Sequence, residues 1–245
     1  MPVMTAAASS ASIVYALIAG LANVIGAVAV TSRRSWSHRS LELLIAFSAG
    51  FMISVSLVDI IPEAISTGGM QAGLVVLAGF LLVHLTQHVF VGHFHFGEET
   101  HAVSPQVGVA ALIGLLLHTF VDGVAITSAF GVSASLGVLV FGAIVLHKLP
   151  EGVAIASLFL AAGGTRAMAF AAAALLGGAT ILGAVLTTVV APLAASGLAL
   201  SGGVTLYVGA SNLIPEFQGK PGWMHNIAFF GGCLAYYLVR SAAHI

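Results

Sequence analysis

Long apolar runs, separated by short charged, Gly-rich or Pro-rich stretches, constrain the fold of this 245-residue chain more than any other feature. Cutting the sequence at these interruptions gives eight apolar segments, each of about the 20 residues that a helix needs to cross a bilayer. Charged residues make up only 6% of the chain, against about 25% in ordinary soluble domains. The sequence therefore predicts one all-α, polytopic membrane domain over residues 1–245. The expected spans are residues 11–31, 41–62, 70–91, 106–129, 133–160, 165–192, 196–217 and 222–242.

The distribution of basic residues indicates how these spans are oriented. An even number of spans places both termini on the same side of the membrane. The loops after spans 1, 5 and 7 hold most of the basic residues, whereas Arg240 lies on the other side. The positive-inside rule then places both termini outside. The basic residues of those loops are Arg33, Arg34, Arg39, Arg166 and Lys220.

Spans 2 and 7 carry similar sequences. Residues 50–63, GFMISVSLVDIIPE, align without gaps with residues 203–216, GVTLYVGASNLIPE. The two spans run in opposite directions on this topology, which indicates an inverted repeat of spans 1–3 and 6–8 around a central pair, a 3+2+3 arrangement typical of transporters. Coincidence between two apolar helices remains the alternative.

Two further copies of one motif lie in spans 4 and 5. HTFVDGVAI begins at His118 and HKLPEGVAI begins at His147, and each places an acid four residues after its histidine, Asp122 and Glu151. Residues four apart share one face of a helix, and the short link near Ser133 makes the two spans antiparallel neighbours. Two imidazoles and two carboxylates then surround one point, a set that suits Zn(II) and is acceptable to Fe(II), Mn(II) or Co(II). The alternative for each pair is a buried hydrogen-bonded network without a ligand.

Local features of these spans favour a metal site. An unpaired charge at the bilayer centre costs at least about 2.5–3.5 kcal/mol, and a divalent cation would neutralise both acids. Pro150 lacks an N–H and so leaves the carbonyl of Leu146 without its helical partner, which is tolerated at depth only where protein or water satisfies it. Gly123 and Gly152, next to the two acids, would allow close helix approach.

These motifs, together with eight spans and a His-containing loop after span 3, resemble those of the ZIP (Zrt/Irt-like) family of divalent metal transporters. Helices 4 and 5 of that family carry His-Asn-x-x-Asp/Glu and His-Glu-x-Pro-Glu motifs. The resemblance implies that His118, Asp122, His147 and Glu151 bind the transported metal, most often Zn²⁺, with Fe²⁺, Mn²⁺, Cd²⁺ or Co²⁺ as other substrates. It also implies movement into the cytoplasm, in a multi-pass protein of a bacterial inner membrane. No cofactor is expected, and the absence of a Walker A pattern argues against ATP hydrolysis.

The chain departs from the family at a second, neighbouring metal site. Thr119 and Lys148 stand where relatives often have Asn and an acid, and Thr180 stands where some carry a glutamate in helix 6. A protonated ammonium has no lone pair and repels a divalent ion. We therefore expect one metal per transport site, with the ammonium of Lys148 in place of a second cation. The alternative is that Lys148 extends toward water.

Other polar residues are candidates for the transport pathway. They could equally be solvated helix ends or bystanders, and the His-containing loop could be a plain linker rather than a weak metal trap. The pathway candidates are Asp59, Glu63, Glu216, His84 and His88. The loop candidates for metal capture, in the cytoplasmic segment at about 92–105, are His93, His95 and His101.

Two other functions compete with transport. An intramembrane zinc-dependent hydrolase would use the same ligands with one coordination position left open for water, and a metal sensor or structural metal bundle would need no pathway. The expected partners are a divalent metal ion and the lipid bilayer, with a homodimer as a further candidate. Nucleic acid is excluded, because the basic residues form no patch.

Overall fold

The computed structural model describes residues 6–32, 38–89 and 105–242. Within these ranges every regular element is helical, which confirms the all-α prediction. Two π-helical turns, Ser56–Ile60 and Val208–Leu213, continue the second and seventh helices. The α-helices are α1 (Ala6–Thr31), α2 (His38–Val55), α3 (Ile61–Val89), α4 (Pro105–Val132), α5 (Ala134–Ala161), α6 (Arg166–Val189), α7 (Ala191–Tyr207) and α8 (Met224–Ala242).

Helices long and apolar enough to cross a membrane number six among the described residues. One of them, Arg39–Thr86, is a 48-residue stretch that joins α2, the first π turn and most of α3. Large apolar side chains such as Leu21, Leu81 and Leu182 are at least half exposed on the outer faces of these helices, as expected where lipid is the solvent. The polytopic membrane class is therefore confirmed.

The chain reverses direction within α3, at Gly69. This residue has φ 58° and ψ −148°, a conformation that glycine adopts far more readily than other residues. Ile61 lies against Gly202 of α7, and Val76 lies against the adjacent Gly203. In a straight helix, residues 61 and 76 would be about 22 Å apart. Both can reach neighbouring residues of α7 only because the chain folds back between them.

The central helices α4 and α5 are antiparallel neighbours, as the short link between them predicts. Their connection is essentially one residue, Ser133, whose hydroxyl caps α5 by accepting from the N–H of Leu136 at 3.1 Å. α1 packs against α5 and α6, and α6 packs in turn against α4. α1 and α6 therefore flank the pair α4 and α5, which carries the two His-acid motifs.

Glycines bring these helices into backbone contact beside the motifs. A Cβ atom on Gly152 would overlap the carbonyl oxygen of Asn23 in α1, and one on Gly123 would overlap the carbonyl oxygen of Thr180 in α6. The prediction that these two glycines allow close helix approach is confirmed. Because the contacts are made by backbone, they fix α1 and α6 against the turns that carry the two acids.

Candidate metal site between the fourth and fifth helices

Four buried side chains converge where α4 and α5 face each other. His118 and Asp122 come from α4, His147 and Glu151 come from α5, and each is at most 4% exposed. Asp122 Oδ2 lies 3.4 Å from the Nε2 atoms of both histidines. Glu151 Oε1 lies 4.0 Å from His118 Nε2. The i, i+4 spacing and the short interhelical link thus bring the four predicted residues to one place.

Their separations match those of a small tetrahedral metal centre. Zinc bonds of about 2.0–2.1 Å to nitrogen and oxygen place tetrahedral ligand atoms about 3.3–3.4 Å apart. The two distances from Asp122 to His118 and His147 have this value, and these three residues can each aim one ligand atom so that all lie within 4.8 Å of one another. Glu151 Oε1, 4.0 Å from His118 Nε2, lies outside this three-residue group and would have to move closer to complete a four-ligand set.

Several of these atoms are buried without a hydrogen-bond partner. They include Oδ1 of Asp122, Nε2 of His147 and Oε1 of Glu151. An unsatisfied buried polar atom costs about 1–3 kcal/mol, so such a group of acceptors in one spot is unfavourable unless a cation binds it. The donor set of imidazole nitrogen and carboxylate oxygen is the one that zinc takes in proteins.

A backbone contact fixes the orientation of the His147 ring. Nδ1 lies 3.0 Å from the carbonyl oxygen of Ala143, one turn earlier in α5, and therefore carries the proton that it donates. In the neutral ring, Nε2 then has the lone pair that a metal would need, and it lies 3.4 Å from Asp122 Oδ2. Metal-binding histidines are commonly oriented in this way by a hydrogen bond from the second ring nitrogen.

Pro150 breaks the hydrogen-bond ladder of α5 beside Glu151, and α2 compensates. The hydroxyl of Ser48, fully buried in α2, lies 3.1 Å from the carbonyl oxygen of Leu146 and 2.7 Å from that of Leu44 in its own helix. Ser48 is thus a protein donor for the carbonyl that Pro150 frees. The need for a donor was predicted from the proline, but its source was not, because 98 residues separate the two positions.

Lys148 lies inside the site. Its side chain is 0% exposed, and Nζ lies 2.6 Å from Asp122 Oδ2 and 2.8 Å from Glu151 Oε2. The ammonium is therefore placed between the two carboxylates, and the alternative that Lys148 extends toward water is wrong. Ion pairs with the two buried carboxylates stabilise the ammonium at the site, so the side chain does not need to extend to water at the membrane surface.

Asn23 of α1 is a site residue that the sequence analysis missed. It is 0% exposed. With its amide oriented so that the nitrogen faces acceptors, it donates to Glu151 Oε2 at 3.1 Å and to the carbonyl oxygen of Lys148 at 2.5 Å. The available signal was an amide within an apolar span, since polar residues inside membrane helices usually have a bonding or functional role.

The two threonines at second-site positions are buried but turned away from the carboxylates. The hydroxyl of Thr119 donates to the carbonyl of Leu116 at 3.1 Å, and that of Thr180 donates to the carbonyl of Leu176 at 3.3 Å. Each bond is internal to one helix. Among the three substituted positions, Lys148 alone contacts the site acids through its side chain.

Asp59 lies apart from this site, in the first π turn. Its Oδ2 accepts from the hydroxyl of Tyr236 at 2.5 Å, and its Oδ1 accepts from Nε of Arg240 at 2.9 Å. Both carboxylate oxygens are thus engaged by α8. A pathway role for Asp59 remains a prediction, and its described contacts are those of a bond between two helices.

The remaining pathway candidates are also outside the four-residue cluster. Glu63 is half-buried in the first turn of α3, Glu216 is buried just after the second π turn, and His84 is exposed, with Nδ1 3.3 Å from the hydroxyl of Tyr207. His88 is in the last turn of α3, and its side chain is outside the described part. The loop candidates His93, His95 and His101 lie outside the described residues as well.

A cavity adjoins the metal-site candidates. His118, His147 and Glu151 form one wall, and Val208 and Asn212 of the second π turn form another. π-helical turns occur frequently at functional sites. Asn212 is aligned with Asp59 in the internal sequence match, so the counterpart of Asp59 lies nearer to the site than Asp59 itself.

Comparison with known proteins shows the family of this chain. A family model described as ZIP zinc transporter matches residues 97–240, more than half of the chain, including both His-acid motifs. The chain belongs to the ZIP family. The resemblance expected from the motifs is thereby confirmed, and the chain is a multi-pass integral membrane protein. Because ZIP proteins are transporters, the hydrolase alternative has no support.

Individual ZIP relatives are bacterial proteins named zinc transporter ZupT. The one from Enterobacter sp. (strain 638) is 29% identical over 127 residues, which cover 47% of this chain and 49% of the relative. The one from Chlorobium luteolum is 28% identical over 136 residues, covering 47% and 51%. The chain thus spans about half the length of the curated relatives that it matches.

Proposed function

We propose that this chain transports divalent transition metal ions, foremost Zn²⁺, across a bacterial inner membrane into the cytoplasm. The metal would bind His118, Asp122, His147 and Glu151. The observation that carries the proposal is the convergence of these four buried side chains, with unsatisfied acceptors, on one point between two membrane helices. The family description and the ZupT names of its relatives support zinc as the substrate. Fe²⁺, Mn²⁺, Cd²⁺ and Co²⁺ are further candidate substrates.

One metal per transport site is the second part of the proposal. Lys148 Nζ is within 3 Å of both carboxylates, where a second ion would have to bind. Two unit charges 4 Å apart repel each other by about 4 kcal/mol at an effective dielectric constant of 20, and a dication doubles this value. With the ammonium present, the region holds one exchangeable cation. The metal gradient, with or without coupled protons, would drive transport rather than ATP hydrolysis.

Eight spans with outward termini form the third part of the proposal. The reversal at Gly69 supports two passes within the stretch Arg39–Thr86. The 19 residues of α8 rise about 28 Å, close to the thickness of the hydrocarbon core. Both termini lie outside on the distribution of basic residues. A homodimer remains an expectation of the sequence analysis.

Paired contacts support the inverted repeat of α1–α3 and α6–α8. Each aligned segment contains a π turn, at Ser56–Ile60 and at Val208–Leu213. Gly50 packs on the backbone of Phe229, and Gly203 packs on that of Val76. The two glycines are aligned, and the same register pairs Val76 with Phe229, so one contact is the counterpart of the other. The packing of α1 on α5 has a similar counterpart in that of α6 on α4.

The cavity beside the site suggests the release direction. On the proposed topology, the beginning of α2 and the end of α7 face the cytoplasm. Ile45, in the first half of α2, and Val208, directly after α7, both line the cavity. Metal bound by His147 and Glu151 would therefore leave through this cavity, with Glu216 and His84 as candidates farther along the route.

Uptake of labelled zinc into proteoliposomes tests the proposal. His147→Ala and Glu151→Ala should each abolish uptake, because each removes a ligand. Leu81→Ala, on an exposed face of α3, is the control and should transport normally. Retained uptake in both ligand variants would overturn the assignment of the site. The wild-type protein should bind one zinc per chain at the site, and a stoichiometry of two would refute the single-metal proposal.

A further inference from the structure

We propose that Asn23 restricts Glu151 to a single coordinating oxygen, and that the site thereby favours four-coordinate Zn(II) over ions that require six ligands, such as Mn(II). The inference rests on the proposed metal transport and adds a specificity-determining residue to it. Asn23 comes from α1, outside the two helices that carry the ligands.

The two oxygens of Glu151 have opposite surroundings. Oε2 accepts from the amide of Asn23 at 3.1 Å and from the ammonium of Lys148 at 2.8 Å. Oε1 is buried without a hydrogen-bond partner and lies 4.0 Å from Nε2 of His118. One oxygen is thus held by two donors, while the other faces His118 and is available to a metal.

Asn23 holds this arrangement more firmly than Lys148 can. The Asn23 amide also donates to the backbone carbonyl of Lys148 at 2.5 Å, and the backbone of Asn23 touches Gly152. Both contacts tie Asn23 to the backbone of α5 on either side of Glu151. A lysine has a flexible four-carbon stem, and this ammonium also binds Asp122, so it could follow a rotating carboxylate. A short asparagine side chain anchored to the helix backbone could not.

A carboxylate with one free oxygen limits the coordination number. His118, His147, Asp122 and the free Oε1 of Glu151 supply four donors, the number that zinc takes in tetrahedral sites. Mn(II) and other hard ions prefer six oxygen-rich ligands, and a bidentate carboxylate is a common way to reach a higher number. Asn23 withholds Glu151 Oε2, one of the two additional carboxylate oxygens of the site, from such an ion. The other is Oδ1 of Asp122.

The test uses the full-length purified protein, with Co(II) as an optical probe and competition between Zn(II) and Mn(II). Four-coordinate Co(II) absorbs visible light much more strongly than six-coordinate Co(II). Asn23→Leu keeps the approximate size of the side chain and removes the donor. We expect a weaker Co(II) absorption band and a Zn/Mn affinity ratio lower by about tenfold, equivalent to about 1.4 kcal/mol. Asn23→Ala removes the donor without adding bulk, and it serves if the leucine variant does not fold.

The same substitution made in a second variant distinguishes a role of Asn23 in metal coordination from a role in helix packing. In the Glu151→Gln background the side chain has a single oxygen, so adding Asn23→Leu should leave the Zn/Mn ratio unchanged. A role in packing alone would lower the affinity for both metals equally and leave the ratio constant in either background. An unchanged ratio and cobalt spectrum in Asn23→Leu or Asn23→Ala would overturn the inference, while the proposed site would stand. Failure of the wild type to bind metal, or binding unaffected by His147→Ala, would overturn both.

Discussion

Replacing Lys148 with methionine should destabilise the protein and make its stability strongly dependent on zinc. The substitution keeps an apolar chain of similar length but leaves Asp122 and Glu151 without their common counter-charge. Because Lys148 is 0% exposed and contacts both acids within 3 Å, water does not screen these two ion pairs. Removing one partner of a buried pair costs about 3–5 kcal/mol. For a chain of 150–250 residues, this corresponds to a Tm lower by about 6–20 °C.

Zinc should then restore more stability to Lys148→Met than it adds to the wild type. Saturating a site at 100 times its Kd adds about 2.7 kcal/mol, and the variant gains further because the dication replaces the missing positive charge. Thermal unfolding with and without zinc measures both effects. Lys220→Met is a matched control, since Lys220 is 35% exposed and pairs with Glu42 away from the site. It should lose at most about 1 kcal/mol, with the same response to zinc as the wild type. An equal response to zinc in Lys148→Met and the wild type would refute the reasoning.

Two further substitutions probe the framework around the site, each measured by thermal unfolding. Gly152→Ala should lower the free energy of unfolding by about 1–3 kcal/mol, because a Cβ there overlaps the backbone of α1. Gly178→Ala is the control and should be neutral or stabilising, since a Cβ at Gly178 meets no atom within 4 Å. Equal effects of the two substitutions would contradict the close contact at Gly152. Ser48→Ala should cost about 1–3 kcal/mol by leaving the carbonyl of Leu146 unpaired. Ser54→Ala should cost less, because the bond of this hydroxyl within the described residues is to the carbonyl of Gly50 in its own helix. A larger cost for Ser54→Ala than for Ser48→Ala would contradict the bond between Ser48 and Leu146.

The parts of the site that the sequence predicted are those that depend on local geometry. His118 and Asp122 share a helix face because they are four residues apart, as do His147 and Glu151, and a one-residue link leaves α4 and α5 little choice but to pack together. None of these steps needs information from distant parts of the chain. Convergence of the four side chains therefore followed from spacing alone.

The parts that the sequence did not predict come from distant helices. Asn23 and Ser48 reach α5 from α1 and α2, and no periodicity relates these positions to residues 146–151. The amide in an apolar span was visible in the sequence, but its target was not. Contacts of this kind depend on the tertiary packing of α1 and α2, which the backbone contact at Gly152 fixes in part.

The sequence predicted some of the helix ends and missed others. The break between spans 2 and 3 was predicted, and the chain does reverse at Gly69. Span 7 was expected over 196–217, but the helix begins at Ala191 and gives way to a π turn after Tyr207. Each π turn ends two residues before a proline, Pro62 or Pro215. A proline frees the carbonyl four residues earlier, which here lies inside the π turn. Proline signals such a disturbance without specifying its form.

The position of Lys148 also bears on how a carrier alternates between its two states. With two ionised acids and one ammonium, the site carries a charge of about −1 without metal and +1 with a dication. Without the ammonium, these charges would be −2 and 0. The cost of moving charge through a low-dielectric region grows with the square of that charge, and buried charge is expensive. If the proposed transport proceeds by such a carrier cycle, Lys148 would lower the cost of the metal-free step about fourfold and raise that of the loaded step. Because a carrier must pass through both steps in each cycle, and the more costly one limits the rate, an even division of charge favours turnover.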